Sequence, residues 1–207
     1  MRRIVTLFLL VLSLSSAPHV RADEEHSRTP ASSPYIAGQF LVAAPGMPDP
    51  RFAETVIYMV DHDRDGAFGV IVNRPVGRGP LDKFLKGFGI EAKNSEGVVR
   101  LLYGGPVEYP NRLFVIHTSD WWGESTIHVN GPVALSVQPD VLKAVADGTG
   151  PRDSMVVLGY AGWGPNQLEL EMARNDWVTA PLDMEIVFDE DIASKWERAT
   201  EAAGIPL

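Results

Sequence analysis

The chain of 207 residues contains no cysteine. A disulfide framework, a thiolate zinc site, an iron–sulfur cluster and a cysteine nucleophile are therefore excluded. Basic side chains are also few, with 18 Lys and Arg against 27 Asp and Glu, a formal net charge of −9. A field of that sign repels phosphate backbones, so nucleic acid is not an expected partner. The most apolar stretch, Ile4 to Leu14, covers eleven residues, short of the roughly 20 that a helix needs to cross a bilayer. Neither H-E-x-x-H nor G-x-S-x-G occurs, and no Ser is placed to make a triad recognisable. What remains is ordinary globular composition, 45% hydrophobic, 22% charged and 9% aromatic. Such a composition excludes a coiled coil, a collagen-like repeat and a wholly disordered chain.

The first 22 residues read as a targeting segment rather than as fold. Met1-Arg2-Arg3 is a basic start, Ile4 to Leu14 is the apolar core, and Val20-Arg21-Ala22 puts small side chains at positions −3 and −1 of a cut after Ala22. This is the three-part pattern of a secretory signal peptide. No Cys follows it, so a lipoprotein anchor is excluded. The expected location is periplasmic or secreted, without stable membrane insertion after cleavage; a wrong gene start would return the protein to the cytoplasm. Residues 1–22 hold three basic residues and no acid, so the remaining 185 carry 15 basic and 27 acidic side chains, net −12.

Residues 23–37 open on a polar, Pro/Ser-rich stretch, Asp23 to Pro34, without apolar periodicity, and read as a disordered lead-in. From Gly38 to Leu207 there is no second linker and no internal repeat, which gives one domain over 38–207. Strands are expected at Gln39–Ala44, Thr55–Asp61, Ala67–Asn73, Arg112–His117, Thr126–Val129 and Met155–Tyr160, and more weakly at Trp177–Thr179 and Glu185–Phe188. Asp65-Gly66 between the second and third is hairpin chemistry. Helices are expected at Pro139–Ala146 and Asp189–Ala203, with a weaker candidate at Leu81–Phe88. Gly164–Ala173 fits either helix or strand. The class is α+β: a single domain with a mixed, barrel-like sheet and a few flanking helices, including one at the C-terminus.

Four segments together resemble the YqgE/AlgH family of bacterial proteins. They are Gly38-Gln39-Phe40-Leu41-Val42-Ala43-Ala44-Pro45 with Asp49-Pro50-Arg51-Phe52, then Asp61-His62 with Asp65 to Pro75, and Gly104-Gly105-Pro106-Val107 with Leu113 to His117. The fourth and most specific is Leu158-Gly159-Tyr160-Ala161-Gly162-Trp163-Gly164-Pro165-Asn166-Gln167-Leu168-Glu169, with Trp177 beyond. The resemblance implies an α+β fold with a mixed barrel-like sheet and a function that is largely uncharacterised. One branch of that family carries the label of a transcriptional regulator of exopolysaccharide synthesis. Two departures stand out: the export signal, where most members begin close to the first motif, and Asn166, where the family commonly has Gly.

Candidate ligand-binding residues at the motif positions are His62, Asn73, Gly104, Gly105, His117, Tyr160, Gly162, Trp163, Gln167 and Glu169. A His beside a carboxylate can do acid–base work near neutral pH, and Gly159 to Pro165, running into a helix start, offers N–H groups to an anion. That stretch matches neither the P-loop nor G-x-G-x-x-G. Asp61-x-Asp63-x-Asp65-Gly66 opens like a calcium loop, yet position twelve is Val72, so it reads as a solvated hairpin tip. No metal and no cofactor are expected. Trp121-Trp122 is a candidate partner surface. The leading expectation is a non-enzymatic binding or regulatory protein of the cell envelope; a transcriptional regulator and an enzyme with a His/carboxylate site are the alternatives.

Overall fold

The computed structural model describes residues 35–91, 96–108, 113–129 and 131–206. The expected signal peptide and the lead-in up to residue 34 lie outside them. The first described residues are already part of the fold, because Ile36 is buried and its N–H reaches back to the His62 ring.

Among the described residues, eleven strands form two sheets. The first sheet holds β1 (Phe40–Ala43), β2 (Val56–Asp63), β3 (Gly66–Ile71), β10 (Ala161–Trp163) and β11 (Trp177–Ala180), in the spatial order β10-β3-β2-β1-β11, all antiparallel. The second holds β4 (Pro75–Pro80), β5 (Val98–Tyr103), β6 (Phe114–Thr118), β7 (Thr126–Ile127), β8 (Val133–Ser136) and β9 (Ser154–Leu158), in the order β4-β5-β9-β6-β8-β7. Only the β5–β9 pair is parallel. The helices are α1 (Leu81–Gly87), α2 (Asp140–Ala146), α3 (Gln167–Ala173), α4 (Met184–Phe188) and α5 (Lys195–Ala202).

The central strands are buried on both faces, so their sequences are continuous apolar runs. In β1, Phe40 and Val42 point into the core between the sheets, where they meet Phe114, Ile116 and Leu135 of the second sheet. Leu41 and Ala43 point the other way, into a cluster covered by Leu168 of α3, Trp163 and Trp177. The outer face of the second sheet, with Val115 and Val156, is covered by Leu81 and Leu85 of α1 and Val141 and Leu142 of α2. Ile186 and Val187 of α4 and Ala199 of α5 complete the central core.

The α+β class and the C-terminal helix are as expected. The strands divide between two sheets, however, and among the described residues neither sheet closes into a barrel. The barrel-like impression arises because the chain passes between the sheets twice, from β3 to β4 and from β9 to β10. At the second passage Gly159, at φ +73, bends the backbone, so the expected strand Met155–Tyr160 ends at Leu158 in β9, Tyr160 makes an isolated bridge to Val107, and β10 begins at Ala161 in the other sheet.

Glu185–Phe188 is helical, not extended: Asp183 caps the turn by accepting the Glu185 N–H at 2.8 Å, and this outweighs the β-branched Ile186-Val187 pair. The C-terminal helix begins at Lys195 rather than at Asp189. The ambiguous segment is helix α3, entered through Asn166 in the left-handed region at φ 60. That backbone favours Gly and tolerates Asn, which accounts for the departure from the family pattern.

Candidate functional site

The glycine motifs meet where the chain crosses between sheets. Gly104 N–H donates to Leu158 O at 2.7 Å, while Gly104 O accepts from Ile71 N at 2.9 Å, so one residue stitches the two sheets together. A methyl group on Gly104 would lie 2.3 Å from Gly159 O, and one on Gly105 would lie 2.2 Å from the Tyr160 carbonyl carbon. These glycines allow backbone to lie on backbone, which is a packing role. Asn73 is structural too. Its Oδ1 accepts from Val56 N at 2.9 Å and its Nδ2 donates to Glu54 O at 2.8 Å, pinning the turn where Glu54 has φ 56.

The bulge in β2 between Met59 and Asp61 sets the alternation that follows it. His62 turns inward and is 5% exposed, while Asp61 and Asp63 turn out. His62 and Glu169 do meet: Nε2 lies 2.9 Å from Glu169 Oε1. The Ile36 N–H donates to Nδ1 at 3.2 Å, so the ring proton of the neutral imidazole sits on Nε2 and is donated to Glu169. The hydrogen bond from its own backbone N–H, which outweighs the raising effect of burial, holds the Glu169 carboxyl below the usual range, with a lesser contribution from the His62 hydrogen bond. Both His62 nitrogens are therefore engaged, and Tyr35 stacks edge-on at 5.1 Å.

His117 stands apart, in the second sheet. Its Nδ1 donates to Thr118 O and its Nε2 accepts from Ser136 Oγ, both at 2.9 Å. Ser136 Oγ accepts in turn from Thr126 Oγ1 at 2.9 Å, and Thr126 Oγ1 accepts from Gly123 N at 3.1 Å. Burial lowers the His117 pKa, outweighing the raising influence of the Thr118 carbonyl, Asp120 and Asp140, so the ring is neutral. A Ser–His pair thus exists that the sequence did not reveal, since Ser136 sits inside the short apolar run Val133–Ser136. Both residues are fully buried. The pair is a satisfied core network, with no face open to a substrate.

Tyr160, Gly162 and Trp163 do share a surface. They line an open cleft of about 670 Å³ at one end of the interface between the sheets. Its floor is aromatic: Phe68 of one sheet and Phe114 of the other each meet Tyr160 edge-on at 6.0 Å. Asp61, Asp63 and Asp65 form its rim, Asp65 ion-paired with the exposed Arg64 at 3.6 Å, and among the described residues no Lys, Arg or His lines it. Neither His62 nor His117 borders this cleft.

A second cleft of about 380 Å³ contains Trp163, Trp177, Gln167 and Glu171. Glu171 Oε2 accepts from both indoles, Trp163 Nε1 at 2.8 Å and Trp177 Nε1 at 2.9 Å, and Oε1 accepts from Gln167 Nε2 at 2.9 Å. Gln167 Oε1 caps Gly164 N–H at 3.1 Å, so the helix start offers that N–H to its own side chain rather than to an anion. Arg51 and Arg174 at this cleft are paired with Asp49 at 2.6 Å and Asp176 at 2.7 Å. Elsewhere, Trp121 packs edge-on against His117 at 5.5 Å, and exposed Trp122 stacks flat on His128 at 4.3 Å.

Among the described residues, no helix is long and apolar enough to cross a membrane, and no group of three or more His, Asp or Glu could hold a metal ion.

The fold of this two-sheet α+β domain is shared by other proteins. The AlgH-like family profile matches residues 40–207, and the chain belongs to that family. It is 47% identical over 171 residues to the UPF0301 protein MCA0413 1 of Methylococcus capsulatus, covering 83% of this chain and 93% of that protein. A UPF0301 protein of Rhodopseudomonas palustris is 39% identical over 200 residues, covering 92% of each. The solution structure of AlgH from Pseudomonas aeruginosa superimposes with a TM-score of 0.69 at 38% identity, over 85% of this chain and 93% of that one. A Corynebacterium diphtheriae protein, DIP2367, shares the fold at 22% identity and a TM-score of 0.60, over 80% and 86%.

Proposed function

We propose that the chain is an exported, non-enzymatic binding protein of the cell envelope whose ligand lies in the first cleft. One observation carries the reading: three carboxylates, of which Asp65 alone is ion-paired (with Arg64 at 3.6 Å), stand over a mainly apolar, aromatic floor with no Lys, Arg or His among its described lining residues. Desolvating a ligand on that floor while leaving its positive end on the rim suits an organic cation with an apolar body. The two histidines that an enzyme would use have both ring nitrogens engaged. The regulator reading is opposed by the charge, net −12 beyond residue 22. The basic start, the apolar stretch and the small residues before Asp23 support export.

Calorimetric titration with phenethylammonium and with its uncharged counterpart phenylethanol tests the ligand class. Binding of the ammonium alone, weakened at least tenfold in the double variant Asp61→Asn/Asp63→Asn, is the expected result; equal binding of both probes, or of neither, rejects it. Fractionation of the native host with N-terminal mass spectrometry tests export. A periplasmic chain beginning at Asp23 is expected, and a cytoplasmic chain beginning at Met1 rejects that part.

A further inference from the structure

The two clefts are parts of one groove. Val107, Gly162 and Trp163 line both, so the acidic cleft and the tryptophan cleft meet at a shared crest that includes the exposed Gly162. We propose that this groove takes an extended peptide segment of a partner protein, laid along the free edge of β10 across Gly162, with a Lys or Arg side chain in the acidic cleft. The proposal deepens the cation-binding reading of the first cleft and rests on it.

The edge is available. Among the described residues, β10 is the terminal strand of its sheet and is paired only with β3, Ala161 with Gly69, Gly162 with Phe68 and Trp163 with Ala67. Just before it, Tyr160 exchanges both backbone hydrogen bonds with Val107 at 3.0 Å. Amide groups alternate in direction along an extended strand. Those of Ala161 and Trp163 therefore face β3, and those of Gly162 face the open edge beyond Val107. An unpaired edge of this kind is a template for an added strand.

Gly162 also differs from its neighbours in the motif. Gly104, Gly105 and Gly159 are demanded by the fold, since added methyl groups would strike backbone atoms at 2.2–2.6 Å. At Gly162 φ is outside the left-handed range, and an added methyl would meet the edge of the Tyr160 ring at 3.0 Å, with Ala67 O no nearer than 4.0 Å. The residue is exposed. The fold gives little reason for a glycine there, whereas a ligand passing over the crest gives one.

Charge selects the occupant. On the rim Asp65 is ion-paired with the exposed Arg64 at 3.6 Å, Asp61 and Asp63 have no ion-pair partner among the described residues, and the arginines of the second cleft are already paired. A second copy of this chain, net −12 beyond residue 22, would bring like charge to the rim. A basic, partly apolar peptide brings the complement.

The test is selection of phage-displayed random nonapeptides on the purified protein, followed by fluorescence polarisation with the selected sequences. Enrichment of Lys or Arg flanked by apolar residues is expected. Gly162→Val should weaken those peptides at least tenfold, because the valine blocks the crest over which the peptide backbone passes. Where that variant fails to fold, peptides N-methylated one position at a time are assayed on the unaltered protein, and one or two positions should lose binding at least tenfold. Selection without basic enrichment, or peptides indifferent to both Gly162→Val and N-methylation, overturns the groove. If phenethylammonium still binds in that case, the cation-binding cleft survives; if it does not, both readings fall together.

Discussion

Lys195 carries the sharpest thermodynamic consequence of this fold. It opens α5, is fully buried, and donates from Nζ to Val187 O at 2.7 Å and Val72 O at 3.4 Å. It thereby ties the end of α4 and the exit from β3 to the C-terminal helix. No carboxylate pairs with it among the described residues. Burial pushes its pKa down to about 8, helped by Arg100 and Arg198 and opposed by Asp189 and Asp191. The unfolded chain holds the same proton up to its ordinary value of 10.5, so over this interval the unfolded state binds more proton and stability rises with pH. The lysine is least favourable to folding below pH 8, and that cost is relieved progressively up to 10.5. The gap between those two values corresponds to about 3 kcal/mol. Lys195→Met keeps the apolar stem and removes the titration. Urea unfolding followed by tryptophan fluorescence, at steps from pH 7 to 10.5, should show the wild type gaining about 3 kcal/mol on the variant across that range. Other groups, including Tyr58, whose pKa burial raises, are common to both proteins and cancel in the difference. A difference constant to within about 1 kcal/mol would refute the reasoning, because it would mean that Lys195 keeps its ordinary proton affinity in the fold.

Three further outcomes separate packing from surface roles. Gly105→Ala, at φ +149 with backbone 2.2 Å from the added methyl, should cost about 3 kcal/mol or prevent folding, whereas Gly162→Ala should change stability by less than about 1 kcal/mol; chemical denaturation of the pair decides this. Glu171→Ala leaves the Trp163 and Trp177 indoles unpaired and should cost about 2–4 kcal/mol, with a changed near-ultraviolet circular dichroism spectrum. Glu171→Gln, which can still accept from both indoles, should cost less than half of that. Glu169→Gln should cost under about 1 kcal/mol at pH 7, since the carboxylate is half exposed. The Glu169 carboxyl is held below its ordinary 4.5, so its contribution is present above that value and is lost as pH falls through the lowered folded one. Acid titration of stability in Glu169→Gln should lack that part of the loss.

Much of this architecture is legible from period and punctuation. Phe40 to Ala43 reads as a strand because every residue is apolar, and it is so because both faces are covered. Asp65-Gly66 marks the β2–β3 hairpin, and α1 and α2 fall where capping and apolar spacing put them. β4 escapes notice because Pro75-Val76-Gly77-Arg78-Gly79-Pro80 has the composition of a loop. It is an exposed edge strand, the place where Pro and Gly are tolerated in a sheet. β10 escapes because Gly159 bends a continuous extended run from one sheet to the other, and nothing in local sequence separates a bend from a break. Of the site, the His62–Glu169 contact spans 107 positions, and spacing carries no information at that range. The two sheets also place His62 and His117 in separate layers, which motif order could not show.

That separation explains why the residues with the most chemistry do the least visible work. Strands covered on both faces leave a polar side chain no water, so His62 is satisfied by Glu169 and the Ile36 N–H, and His117 and Ser136 by each other, Thr126 and the Thr118 carbonyl. A network so completed has no spare lone pair or proton for a visitor. Accessible chemistry is then confined to where the layers stop, and around β10 the covering runs out: Trp163 lies beneath, Gly162 is bare above, and the hairpin tip turns Asp61 and Asp63 outward. The same alternation that buries His62 exposes the two aspartates beside it. A shift of the β2 bulge by one residue would exchange them, burying two unpaired carboxylates and exposing one imidazole. The bulge between Met59 and Asp61 thus fixes both the buried network and the acidic rim, and a variant that repairs it should lose stability and cation binding together.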